Sequence, residues 1–370
     1  MKDGLIWADP SRDEVRTTCK LCLNYCGVIV YRTEEGMRLK GDPAHPLSKG
    51  FLCPKGLAAL QIATHPARIK YPLRRAEVRG GQRWERISWG EAIGEISSRL
   101  KQILERYGPE AVLVNALPPK NPTIWLAFAK AIGTPNFFKH DHHICFTPQL
   151  IADNLTFDSL ATYLCHTEED AAKMRTVVLW GVNMPETNPA KALVIKEVRR
   201  PGAKSIVVDP RPTKQAREAD LWLRVRPGTD TALALGILHV IVKEKLYDKE
   251  FVARWTYGFD ELERHVEDYP PAKVAEITWV DEGSIVEAAR LIATNKPSAI
   301  ITFVGLTMGG NSIDAIRSLG LIAAVTGNVD VRGETSSRSP LRRRGSPSPL
   351  RCSRDRSART DSPFSRASLP

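Results

Sequence analysis

The spacing of apolar and polar positions changes character along this chain. Residues 15–72 show short β-like runs such as "GVIVYR", broken by turn signals at "GDPAHP" and "KG", and no long amphipathic pattern covers them. Such a unit needs a staple. Helical periodicity begins at "SWGEAIGEISSRLKQILERYG", where Ile93, Ile96, Leu100, Ile103 and Leu104 recur on one face, Ser88 and Glu91 form a capping box, and Gly108 ends the pattern. The apolar run "AVLVNAL" and the helix-like "TIWLAFAKAIG" then lead into "FKHDHHICFTP", which fits no period.

The next stretch alternates. "TVVLW", "KSIVVD" and "SAIITFVG" read as strands, and "NPAKALVIKEVRR", "TDTALALGILHVIVKEKL" and "SIVEAARLIATN" as helices. Strands made of continuous β-branched residues, each followed by helical sequence, predict a parallel sheet covered on both faces. The fold class is therefore α/β, with parallel-sheet βαβ units and a small domain in front of them. No repeat of solenoid period is visible. The longest apolar stretch, "TALALGILHVIV", is too short for a bilayer and is broken by His239, so no membrane segment is expected.

At 370 residues the chain exceeds what one core usually serves. The expected divisions are a small domain over 1–72, an α/β region over 73–334 and a tail over 335–370. The tail is mostly Ser, Arg and Pro, with Phe364 its only aromatic, and predicts disorder. Its nine Arg and two Asp carry +7 of the formal +11, which leaves +4 for residues 1–334. The body is only mildly basic, and nothing in it prepares for nucleic acid, so no nucleic-acid partner is expected. The abrupt change after "TGNVDVRGE" is what a shift of reading frame near Gly333 or Glu334 would produce; a functional Arg/Ser tail is the alternative.

Of the seven cysteines, four fall between Cys19 and Cys53. The first residues contain neither a basic n-region nor an apolar h-region, which predicts a cytoplasmic protein, and in a reducing compartment grouped thiols more often hold metal than form disulfides. Cys19, Cys22 and Cys26 make C-x2-C-x3-C, and Cys53 follows in "FLCPKG". Three clustered thiolates and one distant one suit the four corners of a [4Fe-4S] cubane. Zinc is the alternative, although zinc sites more often use two short paired knuckles. Cys165 reads as a small core residue, and Cys352 in the tail has no expected role.

The series "CKLCLNYC", "FLCPKG", "YPLRR", "RWERISWGEAI", "WGVNMPETNPA", "VVDPRPTKQAREADLWLRVRPGTDTAL" and "LYDKEFV" resembles the molybdopterin oxidoreductases of the dimethyl sulfoxide reductase family, most of all the branch like acetylene hydratase. The likeness runs from about Thr17 to Gly333. It implies a molybdenum or tungsten ion held by two molybdopterin guanine dinucleotides, a small-molecule substrate and an electron-transfer partner. The residues agree with a nucleotide site on their own terms. Gly181 allows close backbone approach, Asn183, Thr187 and Asn188 offer hydrogen bonds, Asp209 ends a strand where ribose hydroxyls are accepted, and Arg211 suits a phosphate. Each of these alone reads equally as a cap or turn.

By resemblance, Asp230 accepts from guanine, Cys145 ligates the molybdenum or tungsten, and Lys55 lies on the electron path between cluster and pterin. His143, with His140, Asp141 and His142 beside it, is a candidate for proton transfer. "FVGLTMGGNS" is a further glycine loop, with Gly305, Gly309 and Gly310 reading as a turn or a cofactor contact. One departure matters. Where acetylene hydratase has an aspartate directly after the second cluster cysteine, this chain has Leu23, which can neither donate nor accept a proton. The expected activity is thus oxidation or reduction of a small substrate rather than hydration, with the cluster relaying electrons. Family members also carry a final domain that closes over one pterin, and nothing after Gly333 resembles it. The other reading is a non-enzymatic iron-sulfur electron carrier or an inactive fragment.

Overall fold

The computed structural model describes residues 14–22, 24–116, 122–138, 142–157, 171–196 and 201–329, the side chains of residues 122, 142 and 143 excepted. The expectations placed on Leu23, His140, Asp141, Cys165 and the tail lie outside the described residues.

The first unit is an antiparallel sheet of β1 (Glu14–Thr18), β2 (Gly27–Thr33) and β3 (Gly36–Gly41), followed by the short helices Pro54–Leu57 and Ala59–Thr64. It buries little. Cys26, Val28 and Ile29 are the only hydrophobic residues buried among those described up to residue 72. A minimal hairpin, β4 (Leu73–Arg75) with β5 (Trp84–Arg86), leads to the helix Trp89–Tyr107. The capping box forms as expected: the Glu91 amide donates to Ser88 Oγ (3.2 Å), and the Ser88 amide donates to Glu91 Oε2 (2.7 Å). Gly108 ends the helix at φ +78°. The apolar stripe, however, stays open, with Ile93 59 % and Ile96 66 % exposed and no residue of the helix buried. "AVLVNAL" contributes only β6 (Val114–Asn115), paired in parallel with β7 (Phe137–Phe138).

The main sheet is parallel, in the order β10 (Leu221–Leu223), β9 (Lys204–Val208), β8 (Thr176–Trp180), β11 (Ser298–Thr302). All five residues of β8 and all five of β11 are buried, which is why their sequence lacks alternation. One face packs on Asp230–Lys243, Glu282–Thr294 and Ser312–Val325, whose Leu238, Ile285 and Leu319 are 0 % exposed. The other face carries Pro189–Lys196 and the short helix Lys214–Arg217 through Val194 and Ala216. β11 stops earlier than "SAIITFVG" suggests, because the chain turns at Phe303 into a four-residue helix, Val304–Thr307. No helix among the described residues is long and apolar enough to cross a membrane.

Candidate cluster and nucleotide site

The cysteine loop is the hairpin connection itself. Thr18 pairs with Gly27, so the described residues between them form a loop, closed at its base where the Cys19 amide donates to the Cys26 carbonyl (2.8 Å). Tyr25, at φ +47°, takes a left-handed conformation that residues with a Cβ seldom adopt, a strain found mostly at functional loops. Cys53 arrives from the other direction as the cap residue of Pro54–Leu57. All four thiols line one pocket, together with Asn24, Lys55 and, from the α/β region, Pro189 and Ala190. None is in a disulfide.

Burial first, then the neighbouring Cys22, Cys19 and Cys53, push the Cys26 thiol up to about 11. Four thiolates cannot share this pocket without cations, so loading metal must displace protons. The four thiols share one pocket, the number of thiolates that a cubane takes.

The sheet order creates a second site. From β8 the chain passes to β9 on one side, whereas β11 lies on the other, so the direction of connection reverses between β8 and β11. Open α/β sheets bind ligands beyond the carboxyl ends of the strands at such a reversal. Gly181 (φ +64°) follows β8, and the Gly305 amide donates to its carbonyl (3.0 Å). A Cβ on Gly305 would lie 2.4 Å from that oxygen, so the two loops can touch only through glycine.

Around these loops lie polar atoms with nothing to bind. Asn183 and Asn188 flank the short helix Met184–Thr187, and the Oδ1 of each is buried without a partner, as is Oγ1 of Thr307, a residue 3 % exposed. Each such orphan costs about 1–3 kcal/mol, and a polar group bound at this sheet edge would satisfy them. Thr187 differs: its hydroxyl donates to the Asn183 carbonyl (2.8 Å) and is spent on the helix.

Asp209, at the end of β9, is buried and accepts from the Arg211 amide (2.8 Å), and the Arg211 side chain, though 66 % exposed, brings its Nε to 3.7 Å from the same carboxylate oxygen. Asp230 opens the helix Asp230–Lys243 and accepts from the indole N–H of Trp180 (2.8 Å), the last residue of β8. Burial raises its pKa, against hydrogen bonds from Trp180 and nearby amides that lower it.

Cys145 lies in a π-helical turn, His142–Phe146, packed against Val304–Thr307 and leading into the helix Thr147–Phe157. Buried polar groups pin that helix to the sheet: the Thr302 hydroxyl donates to Gln149 Oε1 (3.0 Å), and Gln149 Nε2 donates to Asp153 Oδ2 (2.7 Å). The turn that carries Cys145 is thus held at the edge where Gly181 and Gly305 meet. The described part of His143 is backbone alone, within the same turn.

Sequence reasoning missed Trp180, Thr307, Gln149, Asp153 and Thr302. The signal available for Trp180 was a large aromatic at a strand end before glycine. For the others there was none, because they act only through contacts between distant segments.

Residues 13–65 match the Fe4S4 domain of molybdopterin oxidoreductases, and residues 68–349 match the molybdopterin oxidoreductase family proper. The chain belongs to the molybdopterin oxidoreductases. Among relatives, acetylene hydratase of Syntrophotalea acetylenica is 38 % identical over 282 residues, covering 75 % of this chain and 38 % of the relative. Formate dehydrogenase H of Escherichia coli is 32 % identical over 327 residues, covering 85 % and 45 %. The solved acetylene hydratase from Pelobacter acetylenicus superposes with a TM-score of 0.74 at 34 % identity, over 84 % of this chain and 43 % of that one. The chain therefore spans less than half the length of these relatives. The family and the α/β fold read from the sequence are the ones found. Membership brings a [4Fe-4S] cluster and a molybdopterin cofactor. The thiol pocket fits the first, and the orphaned amides and hydroxyl at the β8–β11 edge fit the second.

Proposed function

We propose that this chain is the cluster-bearing and nucleotide-binding portion of a molybdenum- or tungsten-dependent oxidoreductase acting on a small molecule. The observation that carries the reading is a shared wall. Pro189 and Ala190, which line the thiol pocket, begin the helix directly after Asn188, so cluster and nucleotide sites stand back to back. Electrons crossing between them need no intermediary protein.

Cys19, Cys22, Cys26 and Cys53 hold the irons. Asn183, Asn188, Thr307 and Arg211 bind the dinucleotide, Asp209 orients its ribose, and Asp230, steadied by Trp180, accepts from the guanine. A second dinucleotide completes the family's pair. Cys145 ligates the molybdenum or tungsten. When bound, that ion supplies two-electron chemistry, which the cluster relays one electron at a time. Lys55 places a cation at the thiol pocket and favours the reduced cluster. His143, two residues before Cys145 in the chain, moves a proton. Leu23 offers no acid beside the cluster, which supports redox chemistry over hydration. The grouped thiols favour a reducing compartment, the cytoplasm, where an electron-transfer protein would exchange electrons with the cluster.

The alternative, a simple iron-sulfur carrier, has no use for Asp230, Cys145 or unpaired amides at the sheet edge. Anaerobic purification followed by metal analysis and acid extraction separates the two. About four irons per chain with released guanosine monophosphate support the enzyme reading; iron without guanine nucleotide supports the carrier, and zinc without iron rejects both.

A further inference from the structure

We propose that the side-chain amide of Asn24 donates a hydrogen bond to a sulfur of the cluster held by Cys19, Cys22, Cys26 and Cys53, and so raises its reduction potential. This rests on the cluster assignment above and adds to it a residue that is not a ligand.

Asn24 lies in the wall of the thiol pocket, 5 % exposed, and its Oδ1 is buried with no donor to accept from. The rest of that wall explains why. Besides the four thiols, Leu21, Phe51, Leu52, Pro189 and Ala190 bring only apolar side chains, and Lys55 is exposed. For packing alone, leucine would fill the place with no polar atom to satisfy. The loop nonetheless holds an amide there, closed at its base by the Cys19 to Cys26 hydrogen bond and reversed at left-handed Tyr25.

What the pocket contains when loaded decides which end of the amide belongs inside. Thiolates and bridging sulfides are acceptors and offer no proton. The two ends of an asparagine amide have the same shape, so a half-turn about Cβ–Cγ exchanges oxygen for nitrogen with little steric change. With a cluster present, the inward end is therefore the N–H. Reduction adds one electron and one negative charge to the cluster, and a hydrogen bond to sulfur stabilises that state more than the oxidised one. The potential rises. Lys55 acts in the same direction through space from the exposed side, where salt screens it; Asn24 acts by contact and is not screened.

The test is an EPR-monitored redox titration of the full chain, reconstituted anaerobically with iron and sulfide. Wild-type protein labelled with 15N-amide asparagine is expected to show 15N hyperfine coupling to the reduced cluster. Asn24→Leu should bind the same iron, lose the coupling and titrate at a lower potential. Asn24→Asp, which replaces the donor by an acceptor in the same shape, should titrate lower still. A wild-type potential in either variant overturns the proposal. So does absence of 15N coupling in the labelled wild-type protein, a result that requires no variant to assemble its cluster. Wild-type protein that takes up zinc instead of iron would sink the cluster assignment itself, which is a separate outcome.

Discussion

The thiol unit and the parallel sheet solve the problem of holding a geometry in opposite ways. Up to residue 72 the described chain buries three hydrophobic residues, Cys26, Val28 and Ile29, so its loop cannot be held by apolar packing. Across the sheet, β8 and β11 are buried along their whole length, and helices close both faces. In the first region the bound group is expected to organise the protein. In the second the protein is organised beforehand, and oxygens of Asn183, Asn188 and Thr307 stay buried and unpaired within it.

The strongest way to break this comparison is to remove the cluster. Iron chelation, or Cys26→Ala, is expected to abolish hydrogen-exchange protection across 14–64 while 176–180 and 298–302 keep theirs, because metal binding supplies the folding energy of such small units. Equal loss in both regions would show that they fold as one.

The converse experiment is Leu238→Ala, which empties a fully buried position between helix and sheet. It should cost about 2–5 kcal/mol in denaturant unfolding monitored at the α/β region. Iron content per folded chain should not change. A parallel fall in iron would mean that the sheet supports the thiol loop more than its meagre packing suggests.

Asp230→Asn has the smallest expected effect and tests whether the pre-built site carries a cost. Burial raises the pKa of this carboxylate, so the folded state holds its proton to higher pH than the unfolded state does. Its contribution is fully present below the unfolded value of about 3.9 and is lost as pH rises through the folded one. The amide, which cannot ionise, should therefore raise the melting temperature of cofactor-free protein at pH 7, and the gain should vanish on acidification below pH ~4. A gain that is the same at every pH would point to packing rather than charge. Guanine nucleotide binding should weaken, since the amide offers one good acceptor where the carboxylate offered two.

Periodicity read from the chain located β8 and both ends of the helix Trp89–Tyr107 correctly, because caps and β-branched runs are local properties. It could not tell that this helix leaves Ile93 and Ile96 open among the described residues while Asp230–Lys243 is buried almost all round. Amphipathic spacing marks a face able to pack, and the neighbour that covers it is set elsewhere in the chain. Nor could it tell that "SAIITFVG" leaves the sheet at Thr302, since that turn serves the contact of Gly305 with Gly181, 124 residues away.

The site divides in the same way. Residue type and spacing singled out four candidate cluster cysteines and Asp209, and resemblance to the family pointed to Asp230 and Cys145, because such residues stand in short recognisable segments. Tertiary structure decided which of the polar candidates remain open. It spent the Thr187 hydroxyl within its own helix, left Asn183 and Asn188 unpaired, added Thr307, tied Asp230 to Trp180, and set Pro189 and Ala190 against the thiols. Those outcomes depend on which hydrogen-bond partners arrive from distant strands and helices, and only the folded chain brings them together.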